Sequence, residues 1–187
     1  KGALDHGTLI PLRFINKAYT GFKTVRIGLS ELPLLKHYEF GMLIKAAAQK
    51  LGRKTVIVAS GDLSHKLTVD GPYGFAPQGP QFDKKVMDAL SEGDFLQLLS
   101  LDEDFCEAAA ECGLRSMVIM AGALDRTAVK PQRLSYEGPF GVGYGTAAFE
   151  VAGNDEKRNF GERFQLLARG EAEEKRQGED SYTALAR

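Results

Sequence analysis

The stretch Lys54-Thr-Val-Ile-Val-Ala-Ser60 constrains the fold more than any other part of the chain. It is short, rich in β-branched residues and apolar without alternation, the pattern of a strand buried on both faces. A strand of that kind needs helices above and below it, so it predicts an α/β fold: a mostly parallel central sheet flanked by helices. Residues 24–29 (Thr-Val-Arg-Ile-Gly-Leu) read as a second strand, and residues 8–15 as a third, with Pro11 near its start or at a sheet edge.

Between these strands, residues 34–51 carry Leu35, Phe40, Leu43, Ala47 and Leu51 at spacings near the helical period. They predict an amphipathic helix entered through Ser30-Glu-Leu-Pro33 and closed by Gly52. Residues 71–80 are rich in Gly and Pro and form a loop long enough to be a lid or a binding loop. Helices are expected near 81–92, 94–100 and 103–124, the last broken at Gly113. Residues 132–137 and 142–151 read as strands joined by Gly138-Pro-Phe-Gly141 and paired antiparallel at an edge.

Charge places the one internal boundary. Residues 153–187 hold 15 of the 49 charged side chains in 35 positions, about twice the density of residues 1–152. The chain is therefore divided at 152/153, and the charged segment is expected to lie outside the main core. The formal net charge of -1 offers no field for nucleic acid or an anionic membrane. No apolar run reaches the roughly 18–20 residues of a membrane span, and no signal peptide is visible. Two cysteines do not make a disulfide framework, so a reducing, cytoplasmic setting is expected.

Ala59-Ser-Gly-Asp-Leu-Ser-His65 carries the strongest chemical signal. It follows the apolar strand, where the carboxyl ends of sheet strands open into ligand crevices. Asp62 and His65, three residues apart on a turn begun by Gly61, can face one pocket. Imidazole exchanges protons near neutral pH, and a carboxylate can hold its tautomer. Equally, Asp62 can cap the next turn while His65 bonds a loop. Asp5-His6-Gly7 is a weaker signal, with a surface turn as its simpler reading. His37, among apolar helical neighbours, reads as a packed or capping histidine. Cys106 and Cys112 do not share a helical face, which argues against a local disulfide or a two-sulfur metal site.

Taken in order, Leu4-Asp-His-Gly-x-x-x-Pro-Leu12, His37-Tyr-Glu-x-Gly-x-x-Leu, Val58-Ala-Ser-Gly-Asp-Leu-Ser-His65, Cys112-Gly and Met120-Ala-Gly-Ala-Leu124 resemble one superfamily over roughly residues 3–151. It is that of the class III extradiol ring-cleavage dioxygenases (the catalytic, B-type subunit) and their Memo-like relatives. Residues 168–187 look like the start of the domain that follows in the AmmeMemoRadiSam system proteins. The resemblance implies a non-haem Fe(II) oxidoreductase that uses O2 to open a catecholic or related small aromatic substrate. It also implies a fused second domain and a radical-SAM partner.

The family's motif assigns His65 as the acid/base, with Asp62 beside it, and places His6 at the substrate site. The third metal ligand falls at Cys112, as in Memo-like proteins, or at Glu111, as in the dioxygenases. The family's two histidine ligands precede the Asp-His-Gly segment and have no match among His6, His37 and His65. The domain is accordingly expected to be incomplete at its N-terminus and to bind Fe(II) weakly by itself. The alternative function is a Memo-like metal-binding accessory protein without ring cleavage.

Overall fold

The computed structural model describes residues 5–177, apart from the side chains of 175 and 177. Its elements are α1 (His6–Ala18), α2 (Leu34–Lys50), α3 (Gln78–Glu92), α4 (Phe95–Leu99), α5 (Glu103–Ala109), α6 (Leu114–Ala123), β1 (Thr127–Glu137), β2 (Tyr144–Asn154), a short 3-10 turn (Glu156–Arg158) and α7 (Phe160–Gln177). The α/β class holds, but the sheet is a two-stranded antiparallel ribbon, β1 against β2. The Gly138–Gly141 turn and the edge hairpin expected from the sequence form, with both strands longer than expected.

No parallel sheet forms among the described residues. Residues 24–29 and 54–60 run as irregular, mostly exposed chain, with Val25 84% and Val56 88% exposed. Their apolar composition is that of buried strands. The ladder and the covering helices such strands require are not supplied by the described residues.

The segment expected as a first strand is α1. Asp5 caps it by accepting from the Thr8 amide at 2.8 Å. Pro11 lies inside the helix and has no N–H to give the carbonyl of Gly7. That carbonyl accepts from the Ser60 hydroxyl instead, at 2.7 Å. A side chain from the Ser-Gly-Asp loop thus completes the helix.

The α2 helix forms as expected but buries another face. Leu34, His37, Tyr38 and Gly41 are buried, whereas Phe40, Leu43 and Leu51 are exposed. Gly41 and Gly122 decide this. A methyl on Gly41 would stand 2.0 Å from the Ile119 carbonyl oxygen, and one on Gly122 would stand 1.9 Å from that of Tyr38. Backbone therefore packs on backbone where α2 crosses α6. Beside the crossing, the Tyr38 hydroxyl donates to buried Asp125 at 2.6 Å. His37 packs as expected, 5% exposed, between the Pro33 carbonyl and Ser30 Oγ.

The core joins α3, α4, α5 and α6 through Phe82, Val86, Met87, Phe95, Leu98, Cys106, Ala109, Leu114 and Val118. The charged segment was expected to stay outside it, and its first turn does not. Phe160 is 3% exposed, packs edge-on against Phe95, and has Phe164 beside the same cluster. Arg126 pairs with Glu156 and Glu162, holding the start of α7 to the end of α6. Beyond Phe164 the described side chains of α7 are exposed. The break near Gly153 thus falls at the end of β2, six residues before chain that rejoins the core.

Candidate metal and proton-transfer site

Residues 61–67 form a seam held from both sides. On one side the Leu63 amide donates to Gly143 O at 2.9 Å, Gly143 returns a bond to Ser64 O at 2.8 Å, and Leu67 donates to Gly141 O at 3.0 Å. On the other, the His65 amide and the Ser64 hydroxyl both donate to the Ala109 carbonyl, at 3.3 and 2.8 Å. Beneath lies Asp83, 1% exposed. One of its oxygens accepts from the Ser64 amide at 2.7 Å and the other from the Tyr136 hydroxyl at 2.8 Å. Each polar group in this buried patch has a partner, so the seam is rigid.

The second wall of the site is the turn between α5 and α6. Ala110 ends α5 with φ of 52°, a left-handed conformation uncommon for a residue with a side chain. The chain then doubles back so that Cys112 meets Asp62. The Asp62 amide donates to Cys112 Sγ at 3.2 Å, and the Cys112 amide donates to Asp62 O at 3.4 Å. Gly61 and Gly113 make the approach possible: a methyl on Gly61 would sit 2.5 Å from the Gly113 Cα, and one on Gly113 would sit 2.7 Å from Asp62 O.

Three donor atoms converge there. His65 Nε2 lies 3.6 Å from Asp62 Oδ2 and 3.7 Å from Cys112 Sγ, and all three donors fall within 4.8 Å of one another. Donors on a tetrahedral ion with bonds of about 2.0–2.3 Å stand roughly 3.3–3.8 Å apart. The two separations from His65 fall in that range, and Cys112 is the softest of the donors that could hold a divalent transition metal there. Burial pushes the Cys112 thiol above its ordinary range, and the charges of Asp62 and Glu111 push it further, against the pull of the Asp62 amide. Without a cation beside it, Cys112 is a thiol at neutral pH.

The sequence-derived site residues divide accordingly. Asp62, His65 and Cys112 come together. Glu111 does not join them: its carboxylate accepts from the Leu114 amide at 2.6 Å and closes the first turn of α6, and burial raises its pKa. His6 is exposed in the first turn of α1, beside the Gly7 that Ser60 contacts, and is not one of the clustered donors. Asp83 and Tyr136 escaped the sequence reading. Asp83 could have been found, since it stands among Phe82, Val86, Met87 and Leu90 on the buried face of α3, where an acid needs partners.

Residues 1–147 match the family described as the catalytic LigB subunit of aromatic ring-opening dioxygenase. The chain belongs to this family. Among its relatives is Protein CA_C1420 of Clostridium acetobutylicum, 42% identical over 184 residues. The alignment covers 98% of this chain and 39% of the relative, so the chain spans well under half of that protein's length. The family is one of aromatic ring-opening dioxygenases, oxidoreductases that are typically metal-dependent. Among the described residues no helix is long and apolar enough to cross a membrane.

Proposed function

We propose that this chain carries the proton-transfer residues and one ligand of an Fe(II) centre in an extradiol dioxygenase acting on a catecholic or related small aromatic ring with O2. The observation that carries the reading is the meeting of Asp62, His65 and Cys112 at a rigid loop junction in a LigB chain. When bound, Fe(II) supplies the one-electron chemistry that O2 needs to react with a closed-shell ring. Cys112 is the ligand contributed here, completed by two histidines outside these residues. His65 takes and returns protons at the substrate hydroxyl through Nε2, and the Asp62 carboxylate faces that same nitrogen from 3.6 Å.

A second reading has an observation of its own. The clustered residue is the thiol of Cys112, with Glu111 committed to capping α6. A thiolate is a softer ligand than the carboxylate expected for Fe(II) and O2 chemistry. This favours a Memo-like metal-binding protein that serves a partner system, a radical-SAM protein being the proposed one.

The deciding experiment uses the natural full-length protein, loaded anaerobically with Fe(II), given catechol and then O2. His65→Gln is expected to lose turnover on the order of 10²–10⁴-fold and keep its metal. Cys112→Ser is expected to lose metal. Absence of catechol cleavage by the wild type favours the second reading. Loss of metal on His65→Gln would make His65 a ligand and refute its proton role.

A further inference from the structure

We infer that Tyr73 is a substrate-contacting residue: its ring caps the flat face of His65 and gives way to, then stacks on, a planar aromatic ligand. This rests on the function proposed above. The edge of His65 faces Asp62 and Cys112, but its face is covered by Tyr73, ring centroids 5.0 Å apart and planes inclined by 28°. That separation leaves no room for a third ring between them. Tyr73 therefore stands over the approach to the imidazole.

The loop is built to let it move. Its base is fastened: Leu67 bridges Phe75, the Ala76 amide donates to Lys66 O at 3.2 Å, and Leu67 donates to Gly141 O. Gly71 is pressed against the 141 turn, where an added methyl would meet the Gly141 Cα at 3.1 Å. The tip is tied only to itself, by the Gly74 amide donating to Gly71 O at 3.1 Å across the Pro72-Tyr73 turn. Tyr73 is 59% exposed although it stacks on His65. Gly74, at φ of 73°, would meet nothing within 4 Å if it carried a methyl. A swing of Pro72 and Tyr73 about Gly71 and Gly74 thus opens the imidazole face without disturbing the seam that holds it. Tyrosine, with a large apolar face and few rotors, suits a stacking wall.

These 187 residues contain no tryptophan, so an indole introduced here is read as the difference in emission between the variant and wild type. In the full-length protein, Tyr73→Trp supplies a reporter at the site, titrated anaerobically with 4-nitrocatechol. Saturable quenching of its emission is expected. Tyr73→Phe should keep the probe affinity within about twofold, and Tyr73→Ala should weaken it on the order of tenfold. With a turned-over catechol, Tyr73→Ala should raise KM and change kcat little. Unchanged indole emission from the Tyr73→Trp protein at millimolar probe overturns the inference, as does wild-type KM in Tyr73→Ala. Quenching without any ring cleavage would leave Tyr73 a stacking wall and refute the dioxygenase reading alone.

Discussion

Ser60 donates its hydroxyl to the carbonyl of Gly7, the helical acceptor in α1 that Pro11 leaves without an amide. The serine that opens the Ser-Gly-Asp loop and the proline of the first helix are therefore a coupled pair. Ser60→Ala should cost about 0.5–1.5 kcal/mol, because the carbonyl loses its partner. Pro11→Ala restores an N–H at the position that serves Gly7, so in that background Ser60→Ala should cost less. Urea unfolding of the four proteins of the cycle measures the coupling. Additive effects would show that the two residues act independently.

The two thiols should separate by reactivity. Cys106 is 7% exposed, and burial, aided by Glu111 and Asp102, pushes its thiol up to about 12. Cys112 is exposed, with its Sγ 3.7 Å from His65 Nε2. At pH 8 iodoacetamide should label Cys112 in the native protein and reach Cys106 only in denaturant. Peptide mass spectrometry reports both sites, and equal labelling in the native state would contradict the packing of α5.

Asp83 should give an inverted acid response. Burial raises its pKa, outweighing the Ser64 and Tyr136 bonds and the charge of His65. Its folded pKa thus lies above an unfolded value near 3.9. The associated stability is complete below the unfolded value and is lost as pH rises through the folded one. Asp83→Asn keeps the shape and can still accept from Ser64, but does not titrate. Wild type should therefore gain on Asp83→Asn between pH 7 and about pH 4, seen as converging or crossing urea midpoints. A wild type that loses ground over that range would show the carboxylate to be stabilised by its partners.

Gly61→Ala should act on site and stability together. Its methyl would meet backbone on the opposite turn, so the turns must part, at a cost of about 1–3 kcal/mol. Co(II) titration should show a weaker sulfur-to-metal charge-transfer band in the full-length protein, as Cys112 retreats from His65. An unchanged band with unchanged stability would mean that the turns are not in contact.

Much of this was legible in the residues, for local reasons. The helices around 34–50, 78–92 and 103–123 follow the apolar period, and the hairpin follows its glycine turn. The buried face of α2 was misjudged because large side chains mark a core only when they make the contact, and here two glycines do. α1 was read as a strand because Pro11 suggested an edge, and its compensating partner lies 49 positions away at Ser60. Residues 54–60 have the composition of a covered strand, but composition does not name what covers it. Asp62 and His65 stand out by their spacing. Cys112, fifty positions from Asp62, could be attached to them only through resemblance to a family.

The meeting of Gly61 and Gly113 also limits what the site can become. With main chain against main chain, nothing is left to trim, so the distance between the two turns is already a minimum. Side chains added at either position can only lengthen it. Substitution can widen this cradle toward larger soft cations held by longer bonds, because a thiolate and an imidazole do not suit the all-oxygen shell of calcium. It cannot tighten it, and selectivity for a smaller ion has to come from exchanging the donors themselves.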